Sequence, residues 1–179
     1  INRLKTSKNT HITRFDKSTD DRVAKADSSS IQGPVGLIVI EGWCFGAESV
    51  HQQELLEPSN DLERQYDTDG VWRQYVNSAL AGDYQTLFNM ADRLVMLAAP
   101  SFDRVFQWRL EQEQKLIEAL TLHKNKRLTS NTMNEEEIEH FIGYFQRITE
   151  HCLLTIPERA DHLYRLNNDR SVSKTKADQ

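Results

Sequence analysis

A chain of 179 residues and 20.8 kDa is long enough to bury about two-thirds of its unfolded surface without disulfide staples, which excludes a disulfide scaffold. With 38% hydrophobic and 27% charged residues and a mean hydropathy of −0.65, composition excludes a disordered chain, and no apolar run approaches the roughly 18 residues of a membrane span. A net charge of −5 and a pI near 5.7 give no basic field for nucleic acid or anionic lipid, so neither nucleic acid nor membrane is expected as a partner. Cys44 and Cys152 lack metal-ligand spacing and point to a reducing cytoplasm, and the first residues have no signal-peptide pattern. The chain opens at Ile1, with no cap before Leu4, and reads as the back part of something longer.

Residues 1–32 are polar and read as loop, with a charged cluster from Arg14 through Arg22. Gly33-Pro34 punctuates. Val35 to Ile40 then runs apolar without alternation and stops at Glu41-Gly42, the pattern of a strand buried on both faces of a parallel sheet. Glu41 would sit at a carboxyl end, where open α/β sheets place their ligands. Val71, Trp72, Tyr75, Val76, Ala79 and Leu80 fall at helical spacing, with Trp72 read as core, and Gly82 is expected to stop that helix before a short one capped by Asp83. Leu94 to Ala99 reads as a second strand. Ser101 caps a long helix whose apolar stripe, from Phe102 to Leu120, contains Arg109 and Glu113. Charges are rarely buried without a partner or ligand, so that pair either faces a ligand or closes on itself four residues apart.

Residues 123–132 form a basic connection, with Lys124 to Arg127 a solvated loop or a lid. Asn134 and Glu137 make a capping box for one amphipathic helix bearing Ile138, Phe141, Ile142, Phe145, Ile148 and Cys152, ended by Pro157. Ala160 to Leu166 reads as a third strand. The expected fold is α/β, a parallel sheet with flanking helices and strands near 35–40, 94–99 and 161–166. It makes one domain over 1–172 with a frayed tail over 173–179. The six histidines share no ligand spacing and read as surface or satisfied core residues.

Four segments together carry a family resemblance: Thr13-Arg14-Phe15-Asp16-Lys17-Ser18 with Asp20-Asp21-Arg22; Ile40-Glu41-Gly42-Trp43-Cys44; Trp72-Arg73-Gln74-Tyr75-Val76-Asn77; and Val105 through Glu113. In order and spacing they resemble the D-glycerate 3-kinase-like group of P-loop kinases, related to uridine kinase, phosphoribulokinase and pantothenate kinase. The resemblance covers about Leu4 to Val172. It implies a nucleotide-binding phosphotransferase of the P-loop NTPase fold, moving the γ-phosphate of ATP to a hydroxyl of a small, glycerate-like metabolite with magnesium. On that basis Asp16 looks like part of the substrate-facing loop and a catalytic carboxylate, with Arg14, Lys17 and Arg22 as charge for an anionic acceptor or the phosphates. Glu41 looks like the carboxylate that holds magnesium through water, and Trp43 like a wall of the acceptor pocket. Arg109 looks like the lid arginine at the transferred phosphate, with Glu113 beside it, and Asn168 and Arg170 look like the turn near the adenine.

The chemistry calls for these residue types on its own terms, since phosphoryl transfer leaves a protein mainly to position groups and neutralise oxygens. One departure stands out. None of the seven glycines is followed by lysine, so the loop of backbone N–H groups and lysine that cradles nucleotide phosphates is absent from this sequence. The expected partner is therefore a missing N-terminal P-loop segment, and the chain alone is expected to be inactive. The alternatives are a non-catalytic kinase-like binding or scaffolding module, and an unrelated helical interaction domain, which leaves Glu41-Gly42-Trp43 and Arg109 without explanation.

Overall fold

The computed structural model describes residues 1–16, 21–24, 28–122 and 132–173, and the chain divides into two units, Ile1–Gly42 and Trp43–Gln179. Lys17, the Lys124 to Arg127 connection and the tail from 174 lie outside the described residues.

In the first unit the expected polar loop is instead built of nested hairpins. Helix α1 (Asn2–Thr6) leads into strand β1 (Asn9–Ile12). Strands β2 (Phe15–Asp16) and β3 (Asp21–Arg22) pair antiparallel, and β4 (Ser29–Gln32) returns antiparallel to β1 in the register Asn9↔Gln32 to Ile12↔Ser29. Alternation is the reason: Thr10 and Ile12 turn to the half-buried side of β1 while Asn9 and His11 face out, a two-residue period that few apolar residues reveal. Gly33 closes the ladder by donating its N–H to the Lys8 carbonyl at 2.9 Å.

The strand expected near 35–40 does not form. Val35 N–H bonds the Leu4 carbonyl at 3.0 Å, but no described strand lies along the segment, and Leu37 and Val39 are each 81% exposed. An apolar run becomes a buried strand only when neighbours on both sides take its N–H and C=O groups. Among the described residues no strand pairs with this one.

The second unit begins with a loop, 43–51, which later side chains hold in place. Asn77 accepts from Val50 N–H at 2.8 Å and donates to the Val50 carbonyl at 3.0 Å, Gln85 donates to the Ala47 carbonyl at 2.7 Å, and Arg159 bonds the Gly46 carbonyl. A 3-10 turn (Gln52–Leu55) and helix α2 (Asp61–Tyr66) follow, the latter capped by the Asn60 side chain, which accepts from Glu63 N–H at 2.9 Å. Helix α3 (Val71–Ala79) does not stop at Gly82; it passes through a π turn (Leu80–Tyr84) into α4 (Gln85–Phe88). Asp83 lies inside that turn and caps nothing. A π turn absorbs one extra residue without breaking the helix, and it leaves Gly82 with open space around it.

Strand β5 (Val95–Ala98) precedes helix α5 (Phe102–Leu122), where Ser101 Oγ accepts from Arg104 N–H at 3.3 Å. The single amphipathic helix expected after Asn134 is two: α6 (Glu135–Gly143), with the expected capping box, and α7 (Gln146–Arg159). Asn60 receives the break by donating to the Gly143 carbonyl at 2.8 Å and to Gln146 Oε1 at 3.1 Å. Pro157 sits within α7 rather than ending it. Its missing N–H costs one bond, and Ala160 N–H still reaches the Ile156 carbonyl at 2.9 Å.

Strand β6 (His162–Arg165) then pairs parallel with β5, Val95↔His162 to Ala98↔Arg165. Asp161 pins the register, accepting from Leu94 N–H at 2.7 Å and from Arg93 at 3.1 Å. The result is an α/β unit, a parallel pair with flanking helices. Met96 and Ala98 point from one face of β5 into a core of Ala47, Leu80, Cys152 and Ile156, while Val95 and Leu97 point out and stay exposed.

Candidate functional site

In the first unit, β2 and β3 place Phe15 opposite Arg22 and Asp16 opposite Asp21. Asp16 is half-buried, while Arg14 and Arg22 are exposed. Arg14 is tied through its backbone, its carbonyl accepting from Val23 N–H at 2.9 Å. The hairpin places Arg14, Asp16 and Arg22 on one short β-ribbon and its flank. Arg22 also lines a concavity with Arg3, Asn9, Thr10 and His11, residues that sequence reasoning did not single out. Glu41 is exposed, just past the segment that fails to form a strand.

In the second unit, Arg109 and Glu113 meet. Arg109 Nη1 lies 2.5 Å from Glu113 Oε2, and its guanidinium stands 5.9 Å from the Phe141 ring centroid. Glu113 is 2% exposed and also accepts from Met133 N–H at 2.9 Å. That N–H first, and Arg109 after it, hold the Glu113 carboxyl below its ordinary value against the opposing effect of burial. Of the two readings of this pair, the geometry realises the i,i+4 closure.

The turn after β6 docks on the same helix. Trp108 Nε1 donates to the Asn168 carbonyl at 3.0 Å. Arg170, at φ +66°, pairs with Glu111 at 2.6 Å and stacks 5.4 Å from the Trp108 ring centroid. Asn168 and Arg170 are therefore brought to α5, one through its backbone and one through its charge. Trp43 stands edge-on to Phe145 at 5.0 Å and remains half-exposed.

Sequence reasoning missed two further arginines. Arg73 and Asp67 are each 8% exposed. Asp67 accepts from Trp72 N–H at 2.8 Å and Arg73 N–H at 3.0 Å, capping α3. Arg73 Nε reaches the Leu55 carbonyl at 2.7 Å, and Nη1 reaches the Asp67 carbonyl at 2.5 Å. Gly70 makes this possible: its φ of +71° turns the chain, and a Cβ there would come within 3.0 Å of the Arg73 guanidinium carbon. Arg147 forks onto Glu63 at 2.9 and 2.6 Å and bonds the carbonyls of Glu54 at 3.0 Å and Glu57 at 2.7 Å. Burial alone would raise the Glu63 carboxyl, but Arg147 and the Ser59 N–H outweigh it and hold it low. A signal for Arg73 was present, since it shares the helix face of Val76 and Leu80 just as Arg109 shares that of its own stripe.

Trp72 is exposed rather than core, because α3 turns that face away from the cluster of Arg73 and Leu80. His151 departs from the satisfied-histidine expectation: its Nε2 is buried with no hydrogen-bond partner among the described residues. Neither cysteine offers a thiolate, since burial raises both thiols, Cys152 to about 11. As for magnesium, the described residues contain no cluster of three metal-ligating side chains. Glu41, exposed, fits the role of one carboxylate acting through water, because magnesium in kinases takes much of its shell from water and substrate phosphates. No helix among the described residues is long and apolar enough to cross a membrane.

Set beside known proteins, the chain matches no family model. It is 32% identical over 110 residues to the uncharacterized kinase mug58 of Schizosaccharomyces pombe, a match covering 60% of this chain and 35% of that protein. Its fold matches that of D-glycerate 3-kinase from Cryptococcus neoformans var. grubii with a TM-score of 0.68 and 21% identity, over 95% of this chain and 60% of that one. The YGR205w protein gives a TM-score of 0.63 and 19% identity, over 98% and 60%. The fold is thereby shared with these two solved structures over nearly the whole of this chain. The particular resemblance read from the sequence, to D-glycerate 3-kinase-like proteins, agrees with these neighbours; this chain spans 60% of the length of each solved structure and its match covers 35% of the curated relative.

Proposed function

We propose that the chain carries the acceptor and lid regions of an ATP-dependent kinase that transfers the γ-phosphoryl group to a hydroxyl of a small, glycerate-like metabolite in the cytoplasm. The observation that supports it best is the agreement of fold with D-glycerate 3-kinase over 95% of the chain. In this reading Asp16 takes the proton of the attacking hydroxyl, a role that requires it within about 2.6–3.2 Å of that oxygen in the complex. Arg14, Lys17 and Arg22 neutralise an anionic acceptor, and Trp43 walls it. Glu41 orients the water shell of magnesium, which when bound with ATP offsets the charge on the phosphates. Arg109 reaches the transferred phosphoryl group from α5, with Glu113 holding its orientation, and the Asn168–Arg170 turn meets the adenine. The phosphate-cradling loop, which the sequence lacks, comes from a further polypeptide segment.

The test is transfer from radiolabelled ATP to D-glycerate by a longer polypeptide that joins this chain to a glycine-rich loop ending in Lys-Ser or Lys-Thr. Transfer is expected there and not from the 179 residues alone; turnover by the 179 residues alone would overturn the assignment of the phosphate loop. A second reading, a non-catalytic module, draws on the closure of Arg109 by Glu113 and of Arg170 by Glu111. Arg109→Ala separates the two. The kinase reading expects turnover to fall more than acceptor affinity, whereas an unchanged rate assigns the pair to structure.

A further inference from the structure

The concavity of the first unit has a volume of about 440 Å³, within the range of small-molecule sites, and three separate elements give it one sign of charge. Arg3 comes from α1, His11 from β1 and Arg22 from β3. Asn9, Thr13 and Ser28 add neutral hydrogen-bonding groups, and no carboxylate among the described residues lines it.

These donors are not spent on the fold. Arg73, Arg109, Arg147 and Arg170 in the second unit are each closed by a carboxylate. The guanidiniums of Arg3 and Arg22 and the ring of His11 are exposed, with no ion pair or hydrogen bond among the described residues. Asp21, next to Arg22 in sequence, accepts from the Arg22 backbone N–H at 2.6 Å rather than from its guanidinium. Asn9 Oδ1 accepts from Ser30 Oγ, which leaves the Asn9 amide N–H groups as donors.

A recess lined by one sign of charge concentrates ions of the other. Because the chain as a whole carries −5, that attraction is local to the recess. The planar guanidinium fork matches the two oxygens of a carboxylate. No glycine among the described residues lines the recess, so it lacks the glycine-rich cradle of backbone N–H groups that holds nucleotide phosphates.

We propose that this recess is the carboxylate subsite of the acceptor, with Arg3 and Arg22 forking onto the carboxylate and His11 and Asn9 donating to its remaining lone pairs. Arg3, Asn9 and His11 thereby join Arg22 in setting specificity, and they select a hydroxy acid over a neutral polyol. The proposal rests on the phosphotransferase reading for the identity of the ligand as acceptor, whereas binding is read without turnover.

The experiment is calorimetric and NMR titration of the 179 residues with D-glycerate, glycerol and inorganic phosphate. Saturable D-glycerate binding in the millimolar range or tighter is expected, weakening as salt is raised, with glycerol and phosphate each at least about tenfold weaker. Arg3→Gln and Arg22→Gln should each weaken D-glycerate by about tenfold or more, the usual loss of one charge-assisted contact. Arg64→Gln, an exposed arginine of α2, should leave it unchanged. In the longer polypeptide, Arg3→Gln should raise KM for the acceptor by about tenfold and change kcat less than about twofold. No saturable D-glycerate binding, equal binding of glycerol, phosphate bound in preference, or D-glycerate affinity unaltered in both Arg3→Gln and Arg22→Gln would each overturn the proposal. D-glycerate binding lost in those variants, without any transfer by the longer polypeptide, would support the carboxylate subsite and contradict the kinase reading alone.

Discussion

The hairpin of the first unit and the helical cluster of the second both collect arginines and carboxylates, and they hold them in opposite ways. Arg73 and Arg147 are closed by backbone carbonyls and carboxylates from segments far apart in sequence, with Arg73 8% exposed. Arg22 sits on the two-residue strand β3 and Arg14 just before β2, both exposed. A guanidinium whose hydrogen bonds are taken by its own fold supplies rigidity, and one displayed on a hairpin can meet a ligand. Arg109 lies between the two cases, closed by Glu113 yet only part-buried.

Substitutions can break that comparison. In the longer polypeptide, Asp16→Asn should lower phosphoryl transfer by about 10² to 10⁴ while leaving Tm nearly unchanged; a large loss of stability would place the hairpin carboxylate with the structural pairs. Arg73→Met should cost about 3 to 5 kcal/mol, the usual loss when one partner of a buried pair is removed. For a chain of this size that is a fall in Tm of roughly 6–20 °C, read by calorimetry.

Smaller effects sharpen the same contrast. Gly70→Ala should cost on the order of 1 kcal/mol or more, because the left-handed turn and the Arg73 guanidinium both oppose a Cβ. The depressed carboxyls of Glu63 and Glu113 predict the pH dependence: their contribution is complete above the unfolded value near 4.5 and is lost as pH falls through the lower folded values. Stability followed by urea unfolding should therefore decline below about pH 4.5, and Glu63→Gln should flatten that decline.

What could be read from sequence was local. The Asn134–Glu137 capping box, the start of α5 at Ser101, and the strand between Leu94 and Pro100 all depend on residues within one or two turns of each other. The segment from Val35 to Ile40 has every local mark of a buried strand and fails, because a strand is completed by neighbours distant in sequence. Gly82 misled for the converse reason. A glycine can end a helix, but a π turn kept this one continuous, with Leu80 in the core.

The site follows the same division. Arg109 and Glu113, four residues apart, could be paired from spacing alone. Glu63 and Arg147, separated by 84 positions, could not, and neither could the orphaned His151 Nε2, since burial of a single ring nitrogen depends on how α7 meets α2 and α3.

The central claim is that the Asp16 hairpin belongs to a phosphotransferase, and the most direct measurement is transfer of label from γ-labelled ATP to D-glycerate and related hydroxy acids by the longer polypeptide, with and without Asp16→Asn. The account predicts a phosphorylated hydroxy acid, with the rate cut by at least about 10² in the variant. No transfer to any hydroxyl acceptor by a folded, ATP-binding protein, or an equal rate in the variant, would contradict it.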